Sequence, residues 1–170
     1  QIDASGEVVG FDLDIAKALC AEMQVECTVV TSDWDGIIPA LNNNKFDFLV
    51  ASMSITDERK QEVAFTNKYY NTPPALVVPK DSKLTEGTAA SLKGKTIGAQ
   101  ASTTFANYVE EKYPDANLKL YPTAEEYKLD LQNGRLDGAV DDVVVIGEWV
   151  KSDGTCCKIV STLPVDPAIF

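Results

Sequence analysis

The chain has 170 residues, of which 45% are hydrophobic and 24% are charged, and its formal net charge is -11. This composition is typical of a globular protein with enough apolar material for one large domain or two small lobes, and it is unlike that of a disordered segment. Nucleic acid is not expected as a partner, nor is an anionic membrane surface, because binding either would require concentrated lysine and arginine.

The sequence contains no histidine. It therefore lacks the commonest general base, the histidine-activated serine and cysteine nucleophiles, and the commonest zinc ligand. This absence argues against most hydrolases and favours a function without catalysis, so neither a cofactor nor a metal is expected. No apolar run approaches the ~18 residues of a membrane-spanning helix.

The four cysteines are Cys20, Cys27, Cys156 and Cys157, and neither pair has the C-x-x-C spacing of a redox or zinc site. Cys20 and Cys27 fall at the end of a predicted helix and the start of the next strand. A disulfide there would stabilise the fold by roughly 2 to 3 kcal/mol and would indicate an extracytoplasmic location. The alternative is two buried thiols. Cys156 and Cys157 are expected to stay reduced and partly exposed, because neighbouring cysteines rarely bridge each other.

The predicted elements alternate between helices and strands. In chain order they are a helix at 10–23, a strand at 25–30, a short helix at 34–44, a strand at 46–51, a helical turn at 56–62, an extended segment at 75–79, a helix, turn and strand within 89–100, a helix at 102–113, a strand at 118–121, a helix at 123–134, a strand at 136–140 and a helix at 142–151. Strands separated by crossover helices predict a parallel, doubly wound α/β architecture. Within it, Thr123 and Glu126 have the spacing of a capping box.

A weak internal repeat relates the two halves of the chain. "LNNNKFDFLV" at 41–50 resembles "LQNGRLDGAV" at 131–140, although helix-turn-strand junctions can look this similar by chance. Extending the register by two residues sets Ser52 opposite Asp142, each just past the carboxyl end of a predicted strand. Ligands bind at such ends in open parallel sheets. The repeat therefore suggests two similar lobes whose strand ends line a cleft.

Polar residues near these strand ends have complementary chemistry. Arg59 offers a planar fork suited to a carboxylate, and Ser52 and Ser54 can add hydroxyl contacts. Asp142 supplies the opposite charge, which suits an ammonium group. A second anion site is predicted where a helix begins, because its free amides and dipole favour negative charge. Three residues form that helix start: Ser102, Thr103 and Thr104. Together these groups match the backbone of an α-amino acid.

Each of these residues also has an explanation that involves no ligand. Thr56 and Ser102 could simply be helix N-caps, and Arg59 could be a solvated surface cation. Asp142 could cap the helix that it begins, and Trp34 could be a core aromatic. Their shared position, at strand-to-helix junctions on one side of the predicted sheets, favours the binding hypothesis.

Five segments carry a resemblance to a known family: "VGFDLDIAKALCAEM", "SDWDGIIPALNN", "DFLVASMSITDERK", "LKGKTIGAQASTTFANY" and "GRLDGAVDD". They resemble the periplasmic amino-acid-binding proteins of ABC importers, nearest to the lysine/arginine/ornithine and histidine binders, over nearly the whole chain. The resemblance implies a periplasmic binding protein-like II fold of two doubly wound lobes. It also implies a periplasmic or extracytoplasmic location, an L-amino acid ligand and a membrane permease as partner.

Carried over by position, the resemblance implies that Arg59 pairs with the ligand carboxylate, helped by the Ser54 backbone and by Thr103. The ligand ammonium would meet Asp142 and the region of Ser52. Trp34 would pack on the ligand side chain, and a tryptophan there suits a cation such as arginine. Three further positions that line the site in such proteins differ from the usual residues: Ala51, Ala99 and Thr104. The Cys20 and Cys27 spacing matches the disulfide of that branch.

Proteins of this family usually begin with a further strand and continue into elements that finish the first lobe. The expected organisation is therefore a partial first lobe at 1–74, a second lobe at 75–165 and the start of a return crossing at 166–170. An incomplete first lobe would leave a sheet edge and apolar surface exposed, which predicts self-association. Two other functions remain open: a dehydratase-like enzyme on the same fold, and the sensor domain of a receptor.

Overall fold

The structure, a computed structural model, describes residues 5–164 and divides the chain into two compact units, Gln1–Phe65 and Thr66–Phe170. The predicted lobe boundary between residues 74 and 75 stays a prediction, and the predicted return crossing at 166–170 lies outside the described residues. The elements are α1 (Phe11–Met23), α2 (Ile37–Asn42), α3 (Asp57–Lys60), β1 (Pro74–Pro79), α4 (Ala89–Leu92), β2 (Thr96–Gln100), α5 (Thr104–Lys112), β3 (Asn117–Tyr121), α6 (Ala124–Gln132), β4 (Gly138–Asp142), α7 (Val143–Ser152) and β5 (Cys157–Thr162).

The first unit is built from α1, α2 and α3. The strands predicted at 25–30 and 46–51 are wrong, because neither segment forms a strand within the described residues. A strand requires a neighbour that accepts and donates its backbone hydrogen bonds in register, and sequence alternation cannot supply one. Apolar side chains in both segments are consequently exposed, including Val30 at 59% and Phe48 at 43%.

α1 confirms the first predicted helix, and a disulfide ties its last turn to the segment that follows. The helix ends at Met23, and the next residue, the C-cap Gln24, adopts a left-handed conformation with φ 57°. Cys20 is buried and bonded to Cys27, with the two Cα atoms 6.2 Å apart. The predicted disulfide is therefore confirmed.

The second unit contains a five-stranded sheet in the order β3-β2-β4-β1-β5. β2 runs parallel to β3 and β4, whereas β1 runs antiparallel to both β4 and β5. The α/β fold class is confirmed, but a wholly parallel sheet is wrong, because sequence alternation carries no information about strand direction. β5 was not predicted. It lies at the edge of the sheet and pairs with β1, and β1 lies between β5 and β4.

The central strand β1 divides the core into two layers. Ala75 and Val77 pack on one side with the aromatic rings of α6 and α7, and Leu76 and Val78 pack on the other side against α4 and α5. All four are fully buried. Because successive side chains of a strand point to opposite faces, a strand that is covered on both faces reads as a continuous apolar run.

Helix starts in the second unit are fixed by side-chain caps. The capping box of Thr123 and Glu126 at α6 is confirmed. The suggestion that Ser102 caps α5 is wrong, because the cap is Thr103, and Ser102 instead turns the chain with φ 59°. Within residues 5–164, no helix is long and apolar enough to cross a membrane.

Candidate functional site

Ser52 follows the segment predicted as a strand and is fixed to the first turn of α1. Its backbone is left-handed, with φ 50°. Its hydroxyl hydrogen-bonds to the carboxylate of Asp12, at 2.9 Å from Oδ1 and 2.8 Å from Oδ2. Asp12 was not singled out from the sequence, because the two residues are 40 positions apart. The contact orients the junction in which Ala51, Ser52 and Ser54 lie.

Arg59 is brought together with Trp34 and Ser54, as the sequence predicted for one site. Its Nη1 donates to the Ser54 carbonyl oxygen at 2.9 Å, and its Cζ lies 5.7 Å from the centroid of the Trp34 ring. Its backbone amide donates to Thr56 Oγ1 at 3.2 Å, which confirms Thr56 as the N-cap of α3. Two contacts therefore position the Arg59 guanidinium, and the third fixes its backbone at the start of α3.

The half-buried position of Arg59 affects its ionisation. Burial lowers the pKa of the Arg59 guanidinium, and the neighbouring Glu58 carboxylate acts in the opposite direction. An arginine starts so far above neutrality that it stays protonated. Partial desolvation makes its attraction for a bound carboxylate stronger than that of a fully exposed cation.

At the start of α5, Thr103 is buried and its hydroxyl is used locally. Thr103 Oγ1 donates to the Gln100 carbonyl oxygen at 2.7 Å and accepts from the Ala106 amide at 3.1 Å. Ser102 is exposed, and Thr104 is the first helical residue. The hydroxyl thus orients the helix start, whose backbone amides favour an anion.

Ala51 and Ala99 contribute no polar side-chain atom. Ala51 is half-buried, whereas Ala99 lies within β2, fully buried and paired with Leu120 of β3. A ligand contact at either position would involve the backbone or the Cβ methyl group. The predicted contacts of Ala51, Ala99 and Thr104 with the ligand stay predictions.

Asp142 ends β4 and caps α7, as its sequence position suggested. Its Oδ1 accepts from the Val144 amide at 2.7 Å, and its Oδ2 accepts from the hydroxyl of Thr72. Thr72 was missed by sequence reasoning because it lies 70 residues away. A carboxylate has about four lone-pair sites, so these two bonds leave it able to accept an ammonium group as well.

Two buried residues, Tyr127 and Asp141, form hydrogen bonds that hold the backbone of Asp142 in place. Tyr127 donates its hydroxyl to Asp141 Oδ2 at 2.5 Å, and Asp141 Oδ1 accepts from the Asp142 amide at 2.7 Å. Burial raises the pKa of Asp141, and it also raises the pKa of Tyr127 well above its ordinary value. Neither residue was predicted; the only sequence signal was a second aspartate at the end of an apolar strand.

Each unit therefore presents part of the predicted set. In the first unit Arg59 contacts both Trp34 and Ser54, and the second unit holds Thr103 and Asp142 at the starts of α5 and α7. The family model of the bacterial extracellular solute-binding proteins, family 3, matches residues 1–161. The chain belongs to that family. The predicted family resemblance and extracytoplasmic location are thus confirmed.

The chain is similar to proteins named for the binding of arginine and of lysine, arginine and ornithine. It is 41% identical over 153 residues to the ABC transporter arginine-binding protein 1 of Escherichia coli K12, covering 90% of this chain and 62% of that protein. It is 40% identical over 148 residues to the lysine/arginine/ornithine-binding periplasmic protein of the same organism, covering 86% of this chain and 56% of the relative. The chain thus spans about three fifths of the length of these relatives.

Solved structures show the same fold. A Salmonella typhimurium periplasmic binding protein described as highly specific for arginine superposes with a TM-score of 0.89 at 36% identity, covering 99% of this chain and 74% of that one. An ancestral amino acid-binding protein, a precursor of cyclohexadienyl dehydratase, superposes with a TM-score of 0.85 at 32% identity, covering 96% and 72%.

Proposed function

We propose that this solute-binding chain captures a cationic L-amino acid, arginine in the first place, for import through an ABC-type membrane permease. The observation that carries the proposal is the arrangement of Arg59, whose guanidinium is held by the Ser54 carbonyl oxygen and lies over the Trp34 ring. The similarity to proteins named for arginine and lysine supports the choice of ligand.

The head group of the ligand would be bound by charge-assisted hydrogen bonds. Arg59 would pair with the ligand carboxylate, and the amides that open α5 behind Thr103 would add neutral donors. Asp142 would accept from the ligand ammonium while keeping its bonds to Thr72 and Val144. These contacts recognise any L-amino acid, so the specificity for a cationic side chain rests on the ring face of Trp34.

The mechanism involves binding without bond chemistry. A ligand shifts the protein from one conformation to another only by its greater affinity for the second conformation. Release at the permease would require the opposite shift. Recognition of the ligand-bound conformation by the permease is therefore part of the proposal.

A thermal-shift screen with the twenty standard amino acids and ornithine tests the proposed ligand. Arginine at a concentration well above its Kd should raise the melting temperature, because a ligand that binds only the folded state stabilises it. Lysine and ornithine should give smaller shifts, and glutamate should give none. Equal shifts for arginine and glutamate would contradict the specificity, and no shift with any amino acid would contradict binding.

A dehydratase-like activity is a second candidate, favoured only by the similarity to the ancestral precursor of cyclohexadienyl dehydratase. Such chemistry requires a general acid in the cleft, and the chain offers no histidine for that role. Turnover of prephenate above the rate in buffer would support the enzyme. If a preparation that binds arginine does not turn over prephenate, the enzyme hypothesis is contradicted and the binding function stands.

We further propose that the 170-residue chain self-associates through the first unit. Seven apolar side chains among the described residues of that unit are between 43% and 59% exposed: Phe11, Leu19, Met23, Val25, Val29, Val30 and Phe48. Exposed apolar side chains that become buried between copies of a chain favour association. Light scattering across a concentration series should show a mass above that of the monomer. A purely monomeric mass throughout would contradict the proposal.

A further inference from the structure

Two adjacent cysteines lie at the start of β5 and have no part in the proposed function. Both are free, as the sequence predicted, but Cys156 is exposed and Cys157 is buried in the core. Their sulfur atoms are 2.7 Å apart. That separation is only ~0.7 Å longer than the bond of a disulfide. The two thiols are therefore close enough to react with each other.

The turn before β5 holds the pair in place. The Gly154 amide donates to the Trp149 carbonyl oxygen at 2.7 Å, and the Cys157 amide donates to the Gly154 carbonyl oxygen at 2.9 Å. Gly154 lies so close to the Trp149 ring that an added Cβ would be 2.8 Å from its nearest atom. A larger residue would not fit at this position, so the turn that leads into Cys156 and Cys157 requires glycine here.

The two thiols differ in reactivity. Burial, together with the hydrogen bond to Cys156, raises the pKa of Cys157 to about 12. Cys157 therefore remains a thiol near neutral pH, and it is shielded from solvent. Cys156 is the accessible partner and would be the first to react with a dissolved disulfide, because access and thiolate character control cysteine reactivity.

We propose that Cys156 and Cys157 form a reversible redox site that is oxidised by a low-molecular-weight disulfide. The thiolate of Cys156 attacks one sulfur of that compound, forms a mixed disulfide and releases the other half as a thiolate, which takes up a proton. Cys157 then attacks the Cys156 sulfur and transfers its proton to the departing second half, which leaves as a thiol. The net change is two protein thiols oxidised to one disulfide and one small disulfide reduced to two thiols.

The geometry of adjacent residues makes this disulfide easy to reopen. The peptide bond between the two cysteines is trans. It places the Cα atoms about 3.8 Å apart, below the usual range of about 4.4 to 6.8 Å for a disulfide. Closing the ring therefore strains it. Strained disulfides are the more readily reduced ones.

Ring closure would also disturb the end of the sheet. The linking peptide is bonded on both sides, since the Lys80 amide donates to the Cys156 carbonyl oxygen at 2.8 Å and the Cys157 amide donates to Gly154. Pro79 pairs with Cys157 at this end of the β1–β5 ladder. Twisting the peptide to close the ring would weaken one of these bonds. The site therefore links a redox change to the pairing of β1 with β5.

Mass spectrometry after incubation with oxidised glutathione tests the proposal. Remaining thiols are blocked with N-ethylmaleimide, and the peptide that contains both cysteines is weighed. The wild-type peptide should carry neither glutathione nor maleimide and should lack two hydrogen atoms. Cys157→Ala, which keeps a small apolar group in the core, should retain one glutathione on Cys156. Glutathione retained on wild-type Cys156, or maleimide on both cysteines, would overturn the proposal.

Two further measurements on the oxidised wild-type protein test reversibility and the structural consequence. Reduced glutathione should reopen the pair at concentrations that leave Cys20–Cys27 intact; opening of Cys20–Cys27 first would overturn the claim of a labile site. Hydrogen exchange at the Lys80 amide should be at least about tenfold faster in the oxidised form, with the β2 amides unchanged. Equal exchange at Lys80 in both forms would overturn the link to the sheet.

Discussion

At the scale of single residues, Arg59 combines the contacts that define the proposed head-group site. Its guanidinium is held by Ser54, lies over Trp34 and is partly desolvated. A ligand carboxylate that meets this cation gains charge-assisted hydrogen bonds without the cost of ordering a flexible side chain. Arg59 should therefore contribute more to affinity than any neighbouring cation.

We expect Arg59→Ala to weaken amino-acid binding by more than about 100-fold, because it removes two charge-assisted hydrogen bonds of roughly 1.5 to 3 kcal/mol each. The matched control is Lys60→Ala. Lys60 is the next residue, is exposed, and pairs with Asp57 at 3.0 Å on the surface. That variant should change affinity by less than about threefold. Calorimetric titrations that give the two variants similar affinities would show that Arg59 is only a surface cation.

The residues that lie together in the first unit could be singled out where a local motif carries them. "SMSITDERK" and "SDWDG" identified Arg59 and Trp34, and the structure brings both residues together. The partners that orient the site could not be predicted, because they come from distant segments. Asp12 is 40 residues from Ser52, and Thr72 is 70 residues from Asp142. No local pattern indicates such contacts.

At the scale of elements, two helix starts in the second unit form a natural comparison. α5 and α6 each have nine residues, and Thr103 and Thr123 cap them through the same side-chain contact. Only α5 is proposed to face the ligand. The cap at α6 thus provides a control for stability that should leave binding unchanged.

Thr103→Ala and Thr123→Ala should each lower the free energy of unfolding by about 1 kcal/mol, because each loses an N-cap. Thr103→Ala should in addition weaken arginine binding by about tenfold, since the α5 amides would no longer be held in place behind Gln100. Urea denaturation and calorimetry measure the two effects separately. If both variants bind arginine as the wild type does, α5 does not contribute to the site.

A charged network ties β3 to α6. Asp130 accepts from Lys119 at 2.7 Å, from the Tyr121 hydroxyl at 2.7 Å and from Arg135 at 2.8 Å. These bonds, led by the one from Lys119, hold the pKa of Asp130 well below its usual range. A carboxylate with a depressed pKa stabilises the folded state above its unfolded pKa of about 3.9, and this contribution is lost as the pH falls towards the folded pKa.

Asp130→Asn should therefore be less stable than the wild type near pH 6, and the difference should shrink below about pH 4. Asp115→Asn is the control, because Asp115 is exposed and pairs only at the surface with Lys93. Its stability should follow the wild type within about 0.5 kcal/mol at every pH. Urea denaturation across this range makes the comparison. If the free energies of unfolding of Asp130→Asn and the wild type differ by the same amount at every pH, the lowered pKa of Asp130 is contradicted.

Helices were predicted more successfully than strands, for a physical reason. α1 was predicted from apolar periodicity, and α5, α6 and α7 have side-chain N-caps; both are local signals that act within the helix itself. A strand depends on neighbours elsewhere in the chain. The segments at 25–30 and 46–51 show β-like patterns without strand partners in the described residues, while β5 was overlooked.

At the scale of the whole molecule, the two units differ in how they are built. The second has a five-stranded sheet covered on both faces, whereas the first shows exposed apolar side chains such as Val30. Each unit holds its own predicted site residues in place, Arg59 beside Trp34 in the first unit and Asp142 at the start of α7 in the second.

Isothermal titration calorimetry of the 170-residue chain tests the central claim most directly. Arginine should bind with one site per chain, lysine more weakly, glutamine weakly or not at all, and glutamate not at all. This order follows from a head-group site common to all amino acids combined with an aromatic contact that favours a cationic side chain. Equal heats for arginine and glutamate, or no heat from arginine, would contradict the account.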